Sequence, residues 1–435
     1  MLTAVGQTAE SSAAVSAPSE TSGRGLGNTS GSVLLATGGA IGQLVTGLGF
    51  IVLARGITRS QLGAFASAYA LTLFIGGLIE FGSSQAETRR LATSPNLGAF
   101  GVWWYQRTLA TAMAVPITFI GLLAIWHHTL PVVAIVALAF QPFTQTFAAG
   151  GAAALRAVRN PAWPGWLTAA GNLVFLLTCT GWFGNRVGAA AVGASLSWVV
   201  TAAASARVLH LREHLARPSR WENPWRAASA LGVFSVATNA QLLVAPLIAL
   251  FANSSSAADF AAVSRWVQPI ILLSGAFSTY MFPNFARSAS FRSAAASLRS
   301  GTLLLVLCLL GIVALVVVAP FVVREVLGAQ YTRSAIVLRW LAVSSFPVLV
   351  GQPLASLLQA RDDATFVARA SAATAIVVAI VTAVAAPSMH ALAGALSLGL
   401  GSAILAALYA MRLRANLDSR NSILTEYGVS DGPAS

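Results

Sequence analysis

The chain has 435 residues, of which 56% are apolar and 9% charged, and its net charge of +13 rests on 26 Arg with no Lys. A soluble domain carries about 25% charged residues, so a water-soluble globule is excluded. Without Lys there is no Walker A loop and no Schiff-base amine, which removes P-loop ATP hydrolysis and Lys-based covalent catalysis.

Residues 1–30 are rich in Ser, Ala, Thr and Gly. They lack the basic and apolar regions of a signal peptide and read as a disordered tail. Apolar runs follow near 32–54, 62–83, 101–125, 130–155, 162–183, 188–208, 226–252, 257–283, 301–323, 333–359, 366–386 and 390–411. A bilayer core takes about 20 apolar residues per helix, so the pattern predicts an all-α polytopic membrane protein with about twelve transmembrane helices. Even-numbered connections and both tails hold 19 Arg against five in the odd-numbered connections. The positive-inside rule therefore places both termini in the cytoplasm. This topology bias accounts for the basic charge without nucleic-acid binding.

The connection at 209–225 is basic, with Arg212, Arg217 and Arg220 beside Trp221 and Trp225, and reads as a cytoplasmic segment on anionic lipid. It separates two six-helix halves, 31–208 and 226–412, with a cytoplasmic tail at 413–435. The halves resemble each other. A shift of the first run onto the seventh lays Gln43 on Gln241 and brings Pro246 beside Gly47-Leu48-Gly49. After a short gap, Gly63-Ala64-Phe65-Ala66 falls on Ala258-Asp259-Phe260-Ala261, and Ala154-Leu155-Arg156-Ala157 on Leu357-Leu358-Gln359-Ala360. Parallel repeats of this kind place the substrate between halves that rock to expose it alternately.

Several stretches carry a family likeness. Leu53-Ala54-Arg55-Gly56 is followed by Gln61 through Tyr69 (QLGAFASAY) and by Ile79-Glu80-Phe81-Gly82. Phe321 through Tyr331 leads to Val337-Leu338-Arg339-Trp340-Leu341, and Phe260 runs past Ser264-Arg265-Trp266 to Phe282-Pro283. Over about residues 33–412 this resembles Wzx-type polysaccharide flippases, in a superfamily that also holds multidrug antiporters and lipid II flippases. The resemblance implies a MATE-like fold and a transporter that flips a polyprenyl-diphosphate-linked glycan to the outer leaflet of the bacterial plasma membrane. It implies membrane lipids, a polysaccharide polymerase and an initiating glycosyltransferase as partners. The seventh helix departs from the pattern, with Asn239 and Gln241 where an acidic residue is often found.

Ionisable residues at membrane depth are costly and mark function by default. Arg265 leads, about 12 Å into the eighth run at 1.5 Å per residue, with Gln268 on the same helix face. Its guanidinium matches phosphate bidentately, so a phosphate or sugar-acid contact is expected; a structural pair with a carbonyl or with Glu80 is the plainer account. Gln43, Asn239 and Gln241 are expected to meet sugar hydroxyls or to bond between helices. Arg55 is expected as a substrate or gate contact, and Arg339 at the substrate or snorkelling to the interface. Glu80, followed by Arg89 and Arg90, is read as an inner-gate ion pair or an interfacial carboxylate. Gly47 and Pro246 are read as hinges, and Pro116, Pro142, Pro269, Pro347 and Pro353 as further interruptions. Cys179 and Cys308 read as small buried hydrophobes, and His127-His128 do not face one point, so neither metal nor cofactor is expected. Short outer loops leave little room for a polymerase or ligase site, so an enzyme is not expected. An ion-coupled antiporter of the same fold is the alternative, disfavoured by the scarcity of carboxylates in the runs.

Overall fold

The computed structural model describes residues 27–93, 97–158, 163–181, 184–209, 225, 229–288, 291–298, 302–361 and 363–426. Every regular element among them is helical. A first set comprises α1 (Gly27–Gly56), α2 (Arg59–Glu80), α3 (Ser83–Thr93), α4 (Leu97–Ala112), α5 (Ala114–Trp126), α6 (Val132–Val158), α7 (Trp163–Cys179) and α8 (Arg186–Val208). A second set comprises α9 (Ser229–Asn239), α10 (Val244–Phe251), α11 (Ser254–Ser264), α12 (Gln268–Arg287), α13 (Phe291–Ser297), α14 (Thr302–Val322), α15 (Ser334–Ala360), α16 (Ala364–Met389) and α17 (Ala391–Glu426).

Among the described residues, ten helices are long and apolar enough to cross a membrane, with α4–α5 and α9–α10 each counting as one. The other two expected runs are α7, 17 residues long, and the interrupted pair α11–α12. Large aliphatic side chains cover the outside: Ile117 is 73% exposed and Val384 75%. That belt is stable in hydrocarbon and not in water, so the chain is a multi-pass membrane protein. Helix extends into both expected tails. The first helix already begins at Gly27, and α17 runs on to Glu426. The basic linker lies almost wholly outside the described residues; its Trp225 donates from Nε1 to the Ile79 carbonyl at 2.6 Å.

Local chemistry sets the ends and breaks. Thr58 and Gln61 form a capping box that starts α2, and Phe81 ends it in the left-handed region at φ 42°. Three breaks follow one rule: proline has no N–H for the carbonyl four residues back. Pro116 accounts for the interruption at Met113, Pro246 for the 3-10 turn Ala240–Leu243, and Pro269 for the break at 265–267. Pro142, Pro347 and Pro353 were expected to interrupt as well, yet α6 and α15 run through them. At Pro353 the reason is visible. The freed Leu349 carbonyl accepts a hydrogen bond from Ser274 Oγ of α12 at 3.2 Å, the repair that neighbouring helices supply inside a membrane.

The two sets meet along α2 and α11, which touch backbone to backbone. A Cβ on Gly63 would stand 1.7 Å from the Ser254 carbonyl oxygen and 3.0 Å from the Ala258 nitrogen. Gly63 and Ala258 are the positions that the internal repeat aligns. Gly63→Ala should therefore destabilise by about 1–3 kcal/mol and lower the unfolding temperature of the purified protein. An unchanged unfolding temperature would show that the helices separate here freely.

Candidate functional site

The break below Pro269 places Arg265 between two helix ends. The carboxyl end of α11 lies above it and the amino end of α12 starts at Gln268. A helix C-terminus favours a cation and a helix N-terminus an anion. Arg265 thus places a positive charge at the break between two helices, the discontinuous-helix arrangement that transporters use at their binding sites.

The guanidinium of Arg265 lies 5.0 Å from the Phe50 ring centre and 5.8 Å from that of Tyr69. Those rings belong to the first set and pack with Phe65 and Phe175 in one cluster. Cation–π contact uses the face of the guanidinium, while its five N–H donors lie in the plane. Among the described residues no carboxylate pairs with Arg265. The aromatic platform therefore holds the cation without spending its donors.

Arg265, Gln268 and Gln241 line a cavity between the sets, walled by Phe50 and Ala66 on one side and by Ser344 and Ser402 on the other. A second, larger cavity shares Gln241 and Ser402 with it and extends into the second set. Among the described residues, Arg265 is the one charged residue in either lining.

Polar contacts that cross between the sets concentrate beside the α1–α2 turn. Arg59 Nη2 meets Asp259 Oδ2 at 2.5 Å, and Ser334 Oγ donates to the other oxygen of that carboxylate at 3.1 Å. The Arg59 guanidinium also sits 5.9 Å from the Tyr331 ring centre. Arg55 Nε donates to the Val326 carbonyl at 2.7 Å and its Nη2 donates to the Glu325 carbonyl. Gln330 Nε2 returns a bond to the Ala54 carbonyl at 2.9 Å. The chain supplies those two carbonyls by turning through a π-helical turn at Val323–Leu327 into Gly328 at φ 99°, a conformation glycine adopts freely. Together these bonds latch the two sets at one end of the cavity.

No family model matches the sequence, and no curated protein is similar to it. Solved structures are similar. A multidrug resistance MATE family transporter of the MOP superfamily in an inward-facing conformation superposes with a TM-score of 0.70 at 14% identity, covering 86% of this chain and 96% of its own. An outward-facing structure of such a transporter gives 0.63 at 15% identity, covering 90% of this chain and 97% of its own. A MOP superfamily transporter from Pyrococcus furiosus, described as having a binding pocket of reverse polarity, gives 0.65 at 14% identity, covering 90% of this chain and 96% of its own.

The chain has the MATE fold.

Within the MATE fold the expected site residues separate into groups. Arg265, Gln268 and Gln241 share the cavity. Arg55 lies in the latch. Arg339 is exposed and donates from Nε to the Val316 carbonyl of α14 at 3.1 Å, away from the cavity lining. Asn239 packs on α2, where its Nδ2 lies 2.8 Å from the Cβ position of Gly77. Gln43 stays on α1, with its Oε1 buried and without a hydrogen-bond partner, and is not part of either lining.

Glu80 accepts hydrogen bonds from the Gly82 and Ser84 amides at 2.9 and 2.7 Å. It also forms an ion pair with Arg107 at 3.8 Å. Arg107 is fully buried, bonded to Ser84 Oγ and set over the Trp103 ring. That cluster lies inside the first set and organises the start of α3.

Gly47 sits in an unbroken α1 with open space around its Cβ position, whereas Pro246 follows a real break. The bend in this MATE fold is therefore one-sided. Pro246→Ala restores a donor to the Leu242 carbonyl and should straighten the helix, slowing transport without lowering expression. Unchanged transport would count against a hinge here.

Asp259 and Arg59 were missed as partners. Asp259 reads in sequence as a loop-edge residue, and nothing in 200 residues of separation points to Arg59. The repeat offered one signal, since it aligns Ala258 with Gly63, a turn beyond Arg59.

Proposed function

We propose that the protein flips a polyprenyl-diphosphate-linked glycan from the cytoplasmic to the outer leaflet by alternating access. The observation that carries this reading is a membrane-depth Arg265 with unspent donors, in a cavity whose lining has no carboxylate among the described residues. A diphosphate offers oxygens for bidentate bonding to Arg265, while a lipid tail remains in the bilayer.

The latch beside the α1–α2 turn lies on the side that the Arg distribution assigns to the outside. In this reading the structure is closed there, and the diphosphate enters from the cytoplasm. Moving one charge through 100 mV is worth about 2.3 kcal/mol. Two phosphate charges moved outward against a negative interior therefore gain roughly 5 kcal/mol if they cross the whole field.

An ion-coupled multidrug antiporter of the same fold is the second reading, favoured by the multidrug transporters among the similar structures. It wants a titratable carboxylate at the cavity. Asp259 is engaged by Arg59 and Ser334, and Glu80 by amides and Arg107.

The deciding experiment depletes the protein, identifies the accumulating polyprenyl-diphosphate glycans by mass spectrometry, and probes their leaflet with an impermeant sugar-labelling reagent. A completed glycan trapped in the inner leaflet supports flipping. Normal levels and sidedness would move the antiporter reading to first place.

A further inference from the structure

The larger cavity has a chemistry of its own. Among the described residues its lining contains no charged side chain; most of its surface is apolar, and its polar groups are hydroxyls and amides, among them Ser278, Gln352, Gln359, Ser371, Thr374 and Tyr409. Ser371 and Tyr409 share a hydrogen bond of 2.7 Å, leaving hydroxyl lone pairs unspent. Ser278 Oγ and Gln352 Oε1 are buried and have no hydrogen-bond partner, although Ser278 is only 6% exposed. A buried polar atom left unpaired costs about 1–3 kcal/mol. The wall therefore keeps polar groups that its own packing does not satisfy.

We infer that this cavity holds the sugar portion of the ligand and selects a glycan whose lipid-proximal residues are neutral and hydroxyl-rich. The inference rests on the lipid-diphosphate reading and adds the substrate class. With the diphosphate at Arg265, the shared wall at Gln241 and Ser402 carries the first sugars directly into the uncharged cavity. A uronic acid or another acidic sugar there would leave a carboxylate in a low-dielectric space without a cation, which is strongly unfavourable. Neutral hydroxyls, donor and acceptor at once, complete the unpaired oxygens of Ser278 and Gln352.

The test uses the full chain in lipid nanodiscs and native mass spectrometry. Three probes are titrated: undecaprenyl diphosphate, the same lipid carrying a neutral N-acetylglucosamine–glucose disaccharide, and the same lipid with glucuronic acid in place of glucose. The wild type should bind the neutral glycolipid at least tenfold tighter than either of the others. Gln352→Leu combined with Ser278→Ala should bring the neutral glycolipid to within twofold of the bare diphosphate. The same pair should not lower the unfolding temperature, since it removes unpaired polar atoms; a merely structural role predicts the opposite.

Equal binding of bare and neutral lipids, equal binding of the acidic glycolipid, or preference retained in the double variant each overturns this inference while leaving diphosphate recognition in place. Failure of the wild type to bind bare undecaprenyl diphosphate overturns the lipid-diphosphate reading and this inference with it.

Discussion

Arg265→Ala should reduce glycan flipping about 10- to 150-fold, the equivalent of the roughly 1.5–3 kcal/mol that hydrogen bonds to a charged group contribute. Arg265→Lys should recover only part of the rate, because an ammonium keeps the charge but loses the planar fork. The measurement is the initial rate of leaflet transfer of the lipid-linked glycan in reconstituted vesicles. The variant should fold normally. Arg265 has no carboxylate partner among the described residues to be left bare, and removing it costs the cation–π contacts with Phe50 and Tyr69. Full transport by Arg265→Ala would sink the phosphate site, and equal rates for Lys and Arg would reduce its role to bare charge.

Breaking the latch should shift the balance between conformations. Asp259→Asn removes the ion pair with Arg59, whose side chain is 33% exposed against 13% for Asp259. A fully buried pair broken on one side costs about 3–5 kcal/mol, whereas exposed pairs contribute at most about 1 kcal/mol. Partial exposure of Arg59 places the expected change near 1–2 kcal/mol, roughly a 5- to 30-fold shift toward the state with this end open. Spin labels on the α1–α2 turn and on the α14–α15 connection would report the separation. The exchanged pair Arg59→Asp with Asp259→Arg should restore the closed distance. If single and exchanged variants show the same distribution as the wild type, the pair does not govern closure. Arg55 adds a separate grip through backbone carbonyls, so its loss should add to that of Asp259.

Residues such as Arg265 were legible in advance because a membrane makes composition informative. A cation in the middle of an apolar run is conspicuous at any depth, and the prolines that break α4–α5, α9–α10 and α11–α12 are visible as letters. The count of runs and the positions of most helices follow from the roughly 20 apolar residues that a bilayer requires. The uninterrupted passage of α15 through Pro353 was not legible, because the repair comes from Ser274 on another helix. Glu80 was read with its sequence neighbours, yet the fold pairs it with Arg107, since a helix end meets whatever packs against it.

The sequence by itself determined that this is an all-helical membrane protein with one prominent deep cation and no nucleotide or lysine chemistry. Those properties follow from residue types and run lengths, which local physics converts to helices in a bilayer. Only the tertiary structure decided that Arg265 rests on rings from the opposite set, that Arg59 and Asp259 close one end, and that the larger cavity has no charged side chain among the described residues. Each of these depends on side chains brought together from positions far apart in the chain, where helix packing and not local sequence sets the neighbours.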